Sequence, residues 1–499
     1  MMCSGFLRWV LVLLCMAGAA GVGAEAGDIF YVDKSNTNPV QNGFSWGTAV
    51  TTIEEGIDVA RRSFGGEVWV ASGVYDEARG NAGTLRMRPG IPLYGGFEGN
   101  EGALSQRDPV ANVTVIDGSR ADDGEPAGTV VAGAEDTLID GFTIRGGEGV
   151  SGAGMLNVDV SPLVRSCRFE NNHADQFGGG VLNVGDSTPV FEDCAFVGNS
   201  ALNGGAMANT GAKPQLLRCV FDGNAAEDAA GAVFFTPGSE CYIQGCEFRN
   251  NTAENGGALF LDSITSFIGE SQFFDNTSTQ FAGVAFVNTG DLLAVNNVFA
   301  RNETEKQRGG VFAILSAEVS VVNCTMTENM APQQGGVFFL NATELRVLNC
   351  IIYDNEINAF FPVSSNVSMR YSLIENNNGG TGNIDVNPRF RNPAADDYSL
   401  LGISRALNAG DSIGAPETDI NGVARPQEGA VDMGAYEALD SDEPEPLPLP
   451  QGCIIGSVGT PGPPQPGDGL VLLLCLAALL MFAYKRRPAP RQIVSVLTA

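Results

Sequence analysis

Cys246-Glu247-Phe248-Arg249-Asn250-Asn251, followed by Gly256-Gly257-Ala258, is one copy of a unit that recurs along this chain. The same C-x-F-x-x-N pattern runs through Cys167/Phe169/Asn172, Cys194/Phe196/Asn199 and Cys219/Phe221/Asn224. It continues in altered form through Ser271/Phe273/Asn276, Asn297/Phe299/Asn302, Cys324/Met326/Asn329, Cys350/Ile352/Asn355 and Ser372/Ile374/Asn377, with copies 22 to 27 residues apart. Paired glycines stand between most copies, at Gly179-Gly180, Gly204-Gly205, Gly256-Gly257, Gly309-Gly310 and Gly335-Gly336. A fixed period in the range of about 20 to 50 residues marks a stacked solenoid, in which no single unit buries its own apolar face.

The unit is β. Each copy is dense in Phe, Val, Ile and Cys, is broken by Gly, Asn and Asp every few residues, and carries no helical apolar run. The expected fold is an all-β, right-handed parallel β-helix of about 10 to 14 coils, each with roughly three short strands. Counted from the repeated Cys, the position three before is apolar (Val164, Phe191, Leu216, Ile243) and the position just before is polar or Gly (Ser166, Asp193, Arg218, Gly245). Inward positions are then minus three, zero and plus two, which departs once from strict alternation and predicts a bend or bulge there. Stacked at about 4.8 Å per coil, Asn172, Asn199, Asn224, Asn251, Asn276, Asn302, Asn329, Asn355 and Asn377 should form an internal amide ladder that satisfies buried backbone groups. The cysteines of one column point the same way and bridge with difficulty, so they read as reduced core residues, with Cys241 outside the column as the exception most open to pairing.

These residues resemble the polymorphic outer membrane protein repeats of chlamydiae, whose signatures are GG-[AIV] and F-x-x-N. Phe30-Tyr31-Val32-Asp33, Val68-Trp69-Val70-Ala71-Ser72-Gly73 and Leu93-Tyr94-Gly95-Gly96-Phe97 resemble the opening of a broader set of bacterial right-handed parallel β-helix proteins. Asn408-Ala409-Gly410-Asp411, Thr418-Asp419-Ile420-Asn421-Gly422 and Val431-Asp432-Met433-Gly434-Ala435-Tyr436-Glu437 are similar to the closing segment called choice-of-anchor Q. The resemblance implies a pectate-lyase-like solenoid and leaves the activity open.

With 28 basic against 58 acidic residues the formal charge is −30, which argues against nucleic acid as a partner. The ends read as targeting signals. Residues 1–24 have Arg8, an apolar run and small residues up to Ala24, which suits a cleaved signal peptide. An N-terminal cap and first coils are expected over 25–110, repeats over 111–378, a closing segment over 379–438 and an acidic, Pro/Gly-rich linker over 439–468. Residues 469–487, ending in Lys485-Arg486-Arg487, read as a transmembrane or sorting segment, with 488–499 as a cytoplasmic tail. The order Gly452-Cys453, apolar segment, basic cluster resembles tripartite C-terminal sorting signals, with Cys453 at the processing point; a retained single-pass anchor is the alternative. The expected partners are therefore the export and sorting machinery, the membrane through the C-terminal helix, and a cell-surface glycan or protein ligand. The domain is expected to be monomeric, exported and held at the outer surface of the envelope.

Two function classes compete. One is a surface β-helix with a structural, adhesive or glycan-binding role; the other is a polysaccharide lyase or glycoside hydrolase on the same scaffold. His173 is the single histidine, which excludes a His-pair metal site, so the enzyme reading must rest on carboxylates. One place before the ladder Asn lie Asp275, Arg301, Glu328 and Asp354. Glu328 and Asp354 would stand about 5 Å apart, as in a retaining glycosidase, or would bind Ca²⁺, the one cofactor this column admits. A second column, three places after the Asn, holds Asp175, Glu227, Glu254 and Glu305. Both columns are expected at turns, where Asp275, Arg301 and Glu328 also read as a surface ion-pair ladder and catalytic residues need not exist.

Overall fold

In the computed structural model, which describes residues 28–439 apart from 357, 377, 378 and 428, the coil from Cys194 to Arg218 is representative. Strand Ala195–Val197 buries Phe196, the chain turns at Gly198, and Asn199 enters the interior ahead of strand Ser200–Asn203. Gly204 turns the chain into Met207–Thr210, Gly211 into Gln215–Leu217, and Arg218 into the next coil at Cys219. All four corner residues have positive φ, between 51° and 73° across Gly198, Gly204, Gly211 and Arg218. One left-handed residue per corner turns the strand while keeping the side chains on either side pointing inward, and this is the break in alternation expected before each Cys. It recurs at Ser166, Asp193, Asn296, Asn323 and Asn349, a set rich in the Asn and Asp that tolerate this conformation.

Equivalent strands pair in parallel from coil to coil, as in Ala195↔Val220, Met207↔Val233 and Gln215↔Tyr242. The result is a parallel β-solenoid of about twelve turns, with a 12-stranded sheet through the inner Phe residues, a 7-stranded side sheet and a 21-stranded front sheet. In three coils the two front strands fuse into one of 11 residues, Leu259–Gly269, Ala285–Val295 and Phe312–Val322.

Three ladders fill the interior. Phe169, Phe196, Phe221, Phe248, Phe273 and Phe299 stack with centroids 4.6 to 5.0 Å apart and ring planes within 15°. The amide ladder runs unbroken from Asn172 to Asn355, each Nδ2 donating to the next Oδ1 at 2.9 to 3.0 Å. Asn377 lies outside the described residues. Asn251 Oδ1 also accepts the Asn224 backbone N–H, and its Nδ2 donates to the Phe221 carbonyl. Asn251→Ala should therefore cost about 1–3 kcal/mol by leaving these buried groups unmet. Thermal unfolding checks this against Glu254→Ala, whose exposed side chain should leave the midpoint unchanged.

The cysteine column is the third ladder, and its buried thiols also hydrogen-bond the backbone. Cys219 Sγ donates to the Phe191 carbonyl at 3.3 Å, while Cys246 Sγ accepts the Cys219 backbone N–H at 3.3 Å. Ser271 Oγ accepts the Cys246 N–H, and Asn297 Oδ1 accepts the Ser271 N–H. Each side chain thus satisfies the backbone at a left-handed corner, which is why Cys, Ser and Asn exchange along one column. All seven described cysteines, Cys241 included, are buried and unpaired, and burial pushes the Cys167 thiol up to about 12. Cys219→Ser should fall within about 1 kcal/mol of the parent, whereas Cys219→Val, with no donor or acceptor, should cost about 1–3 kcal/mol. Denaturant midpoints of the two variants distinguish a ladder from a simple apolar site.

The first coils are closed by helix α1 (Ile53–Arg62), which the repeat pattern did not announce. Thr52 caps it by accepting the Glu55 N–H, and Ile53, Ile57 and Ala60 are buried against the coils. At the other end, residues from about 387 onward fold back over the outside of the 12-stranded sheet. Tyr398 and Ala435 pack there on Phe274, Val298 and Ala300, while Leu400, Ala406 and Met433 pack on Ile351 and Leu373. A buried ion pair, Arg425–Glu437 at 2.8 Å, holds this segment together, and Arg425 also donates to the Asp432 and Gly434 carbonyls. No described helix is long and apolar enough to cross a membrane. Ala24, Cys453, the linker and the segment 469–487 lie outside the described residues.

Candidate functional site

The carboxylate columns do not meet in an open cleft. Asp275, Arg301, Glu328 and Asp354 are corner residues with φ between 56° and 58°. Arg301 Nε lies 2.9 Å from Asp275 Oδ1, and its Nη2 lies 2.8 Å from Asp396 of the closing segment. Tyr398 accepts from Arg301 Nη1 at 2.6 Å and donates to Glu328 Oε2 at 3.4 Å. Arg249, also tied to Asp396, and Arg301 both lie over the Phe274 ring, at 4.4 and 5.3 Å. This column is the seat of the closing segment, and the carboxylates that surround Arg301 hold its guanidinium still more firmly charged. Asp354 is exposed, and its backbone N–H donates to Glu375.

The second column departs from the expected turns at three of its four members, while Glu305 lies at a bend just past strand Glu303–Thr304. Asp175, Glu227 and Glu254 lie within strands of the side sheet, exposed on its outer face. His173, on the same face, has Nδ1 2.9 Å from Ser200 Oγ. Among the described residues no group of three His, Cys, Asp or Glu side chains is placed to hold a metal ion.

What the structure does assemble is a groove on the corner between side sheet and front sheet, an open cleft of about 680 Å³. Its floor comes from the front strands. Leu259 and Leu261 point inward and are fully buried, so Phe260 between them points out. Phe234 and Phe286 occupy the same position in the coils on either side, in register with Phe260. The three partly exposed rings follow one another along the axis, Phe234 tilted 5.3 Å from Phe260 and Phe260 stacked 5.0 Å from Phe286.

The last residues of the side-sheet strands form one rim, in the register Phe177, Asn203, Ala229, Asn255, Phe281. Phe177 reaches to 6.1 Å from Phe234, and Phe281 packs 6.3 Å from Phe286 and 5.9 Å from Phe339. The other rim carries Thr236 and Asp262, whose Oδ1 accepts from Asn288 Nδ2 at 2.9 Å, and Asp228 adds a second, exposed carboxylate. Beyond Phe281, Arg308 lies over the Phe361 and Phe339 rings at 4.4 and 5.5 Å. The site thus offers an apolar floor repeated once per coil, flanked by amides, a hydroxyl and carboxylates that donate and accept hydrogen bonds.

None of these residues stood out by motif. Their signal is a breach of parity: three places after Gly231, Gly257, Gly283 and Gly336, Phe234, Phe260, Phe286 and Phe339 are apolar where the strand faces outward.

Residues 202–333 match the family described as right handed beta helix region. The chain is similar over 83% of its length to 97% of the pectate lyase Pel9A crystal structure, at 15% identity and a TM-score of 0.44. It is similar over 74% of its length to 70% of the catalytic unit of a GH87 alpha-1,3-glucanase from Streptomyces thermodiastaticus, at 14% identity and a TM-score of 0.33. A 140-residue stretch is 32% identical to metabotropic glutamate receptor-like protein R of Dictyostelium discoideum, and 28% identical to protein P of the same organism. That stretch is 28% of this chain and spans only 9% of either receptor-like protein. The family match takes in the coils that carry Phe234, Phe260 and Phe286, while Phe177, Phe339 and Asn341 of the groove lie outside the matched residues.

Proposed function

We propose that this chain is an exported, surface-anchored β-helix protein that binds a polysaccharide in the groove along its coil axis. The observation that carries the reading is the repetition of one Phe in each of three consecutive coils between rims that carry Asn203, Asn255, Thr236 and Asp262. A repeating floor suits a repeating polymer, since each coil meets the same chemical group of the ligand. An extended peptide is a poorer fit, because the front strands of these coils already pair on both sides and offer no free edge for strand addition. Export and anchoring rest on residues 1–24 and on the linker and apolar segment after 439, and the resemblance to chlamydial repeats and to a choice-of-anchor Q segment belongs to the same reading. Asp228 and Asp262, both lining the groove, favour as second reading a glycoside hydrolase or lyase on this scaffold.

Co-sedimentation with insoluble polysaccharides tests the first reading. The protein should pellet with at least one of them, and Phe260→Ala should weaken retention by about tenfold while leaving the fold intact. Retention that survives Phe260→Ala and Phe286→Ala together would place binding elsewhere. New reducing ends or unsaturated products, abolished by Asp228→Asn or Asp262→Asn, would promote the enzyme reading.

A further inference from the structure

We infer that the groove takes a neutral, unbranched polysaccharide and holds three consecutive sugar units between Phe177 and Phe281. This rests on the polysaccharide reading above and adds to it the charge class and the length of the ligand.

Charge decides the class. No basic side chain lines the groove between the two stops, whereas Asp228 and Asp262 both do, in a chain of net charge −30. A uronate or sulfated sugar would bring its own negative charge against these carboxylates in a site with no described metal cluster to bridge them. Hydroxyls of a neutral sugar instead satisfy such a rim, donating to the carboxylates and exchanging hydrogen bonds with Asn203, Asn255 and Thr236. The C–H faces of pyranose rings suit the apolar floor.

Geometry decides the length. Phe177 and Phe281 occupy one rim column four coil steps apart, about 19 Å at about 4.8 Å per step. Between them the column drops to three smaller side chains, Asn203, Ala229 and Asn255, one per coil. Phe234, Phe260 and Phe286 lie in consecutive coils beneath. Each small residue opens one step of the trough, and each step is close to the length of one sugar in an extended chain. A ring narrows the trough on this rim at each end of the three steps: Phe177 leans against Phe234, and Phe281 packs between Phe286 and Phe339 where the outward Phe column lapses at Ala313, while the opposite side of the cleft continues past it along Leu315 and Asn341. Side branches would collide with the rims.

The test is calorimetric titration of the full-length protein with neutral gluco-, manno- and xylo-oligosaccharides of one to six units, and with oligogalacturonates of the same lengths. A neutral series should bind, with affinity rising by at least about tenfold from one to three units and levelling off beyond, while the galacturonates bind more weakly at every length. Asn255→Phe copies the native stop one coil earlier and should move the plateau from three units to two. The melting temperature shows whether the variant is folded; if it is not, Asn203→Phe makes the same test from the other end. Failure of every oligosaccharide and of the parent polysaccharides to bind would overturn the polysaccharide reading itself. Binding that favours galacturonates, or a length profile that neither substitution shifts, would leave that reading standing and overturn this inference.

Discussion

Arg425→Ala should destabilise the folded chain by about 3–5 kcal/mol, because it strands Glu437 as a buried charge without its partner. Both side chains of this pair are almost fully removed from solvent, at 0% and 1% exposure. The guanidinium also holds two carbonyls of the closing segment, which in turn covers Phe274, Val298 and Ile351 on the coils. The loss should depend on pH. Burial pushes the nearby Asp432 carboxyl up from 3.8 to about 6. A carboxyl whose folded pKa is raised binds its proton more tightly in the folded state. Its stabilising contribution is complete below the ordinary value and is lost as pH rises through about 6. Removing Arg425 takes away the positive charge that opposes this shift, so the deficit should be largest near pH 8 and smaller near pH 5. Equilibrium unfolding at the two pH values checks it. An equal deficit at both would show that packing, and not charge, holds the closing segment.

Phe248→Ala should cost a comparable 3–5 kcal/mol or about that, as expected for a large aromatic removed from a close-packed interior. Its ring is fully buried between Phe221 and Phe273, at 4.6 and 4.7 Å, so the cavity would have stacked rings on both sides that cannot collapse without breaking the strand register. Phe260→Ala is the informative contrast. That ring is also stacked on a neighbour, 5.0 Å from Phe286, but it is partly exposed on the outside of the coil. It should lose less stability than Phe248→Ala and more binding. Melting curves and glycan retention, measured on both variants, separate the two roles; equal loss of binding in both would mean that binding follows stability alone.

The repeat made the solenoid legible because its period, its inward Phe and its Asn sit at one fixed offset, and stacking turns a fixed offset into a column. The corners were half legible. The extra inward residue at Cys167 or Cys194 implied a bend, but the left-handed conformation of Ser166 and Asp193 that produces it is a backbone property that many residues share. Helix α1 went unread although Thr52, Glu54, Glu55, Arg61 and Arg62 form an ordered set of cap and dipole signals, because ten residues outside the repeat carry little weight against so regular a pattern. The candidate site was the least legible. Asp275, Arg301 and Glu328 do share a column, but what covers them comes from Asp396 and Tyr398, 68 to 123 residues away in sequence, and no local pattern announces that return. Phe234, Phe260 and Phe286 fall outside the repeated motif, and an apolar residue in a Phe-rich repeat carries no mark of its facing until the parity of the strand is known.

A crystal structure of the protein soaked with a neutral trisaccharide from the tightest-binding series tests the central claim most directly. The ligand should lie parallel to the coil axis over Phe234, Phe260 and Phe286, with one sugar beside each of Asn203, Ala229 and Asn255. A sugar bound across the coils, on the closing segment or over the outer face of the side sheet, with the Phe groove empty, would contradict it.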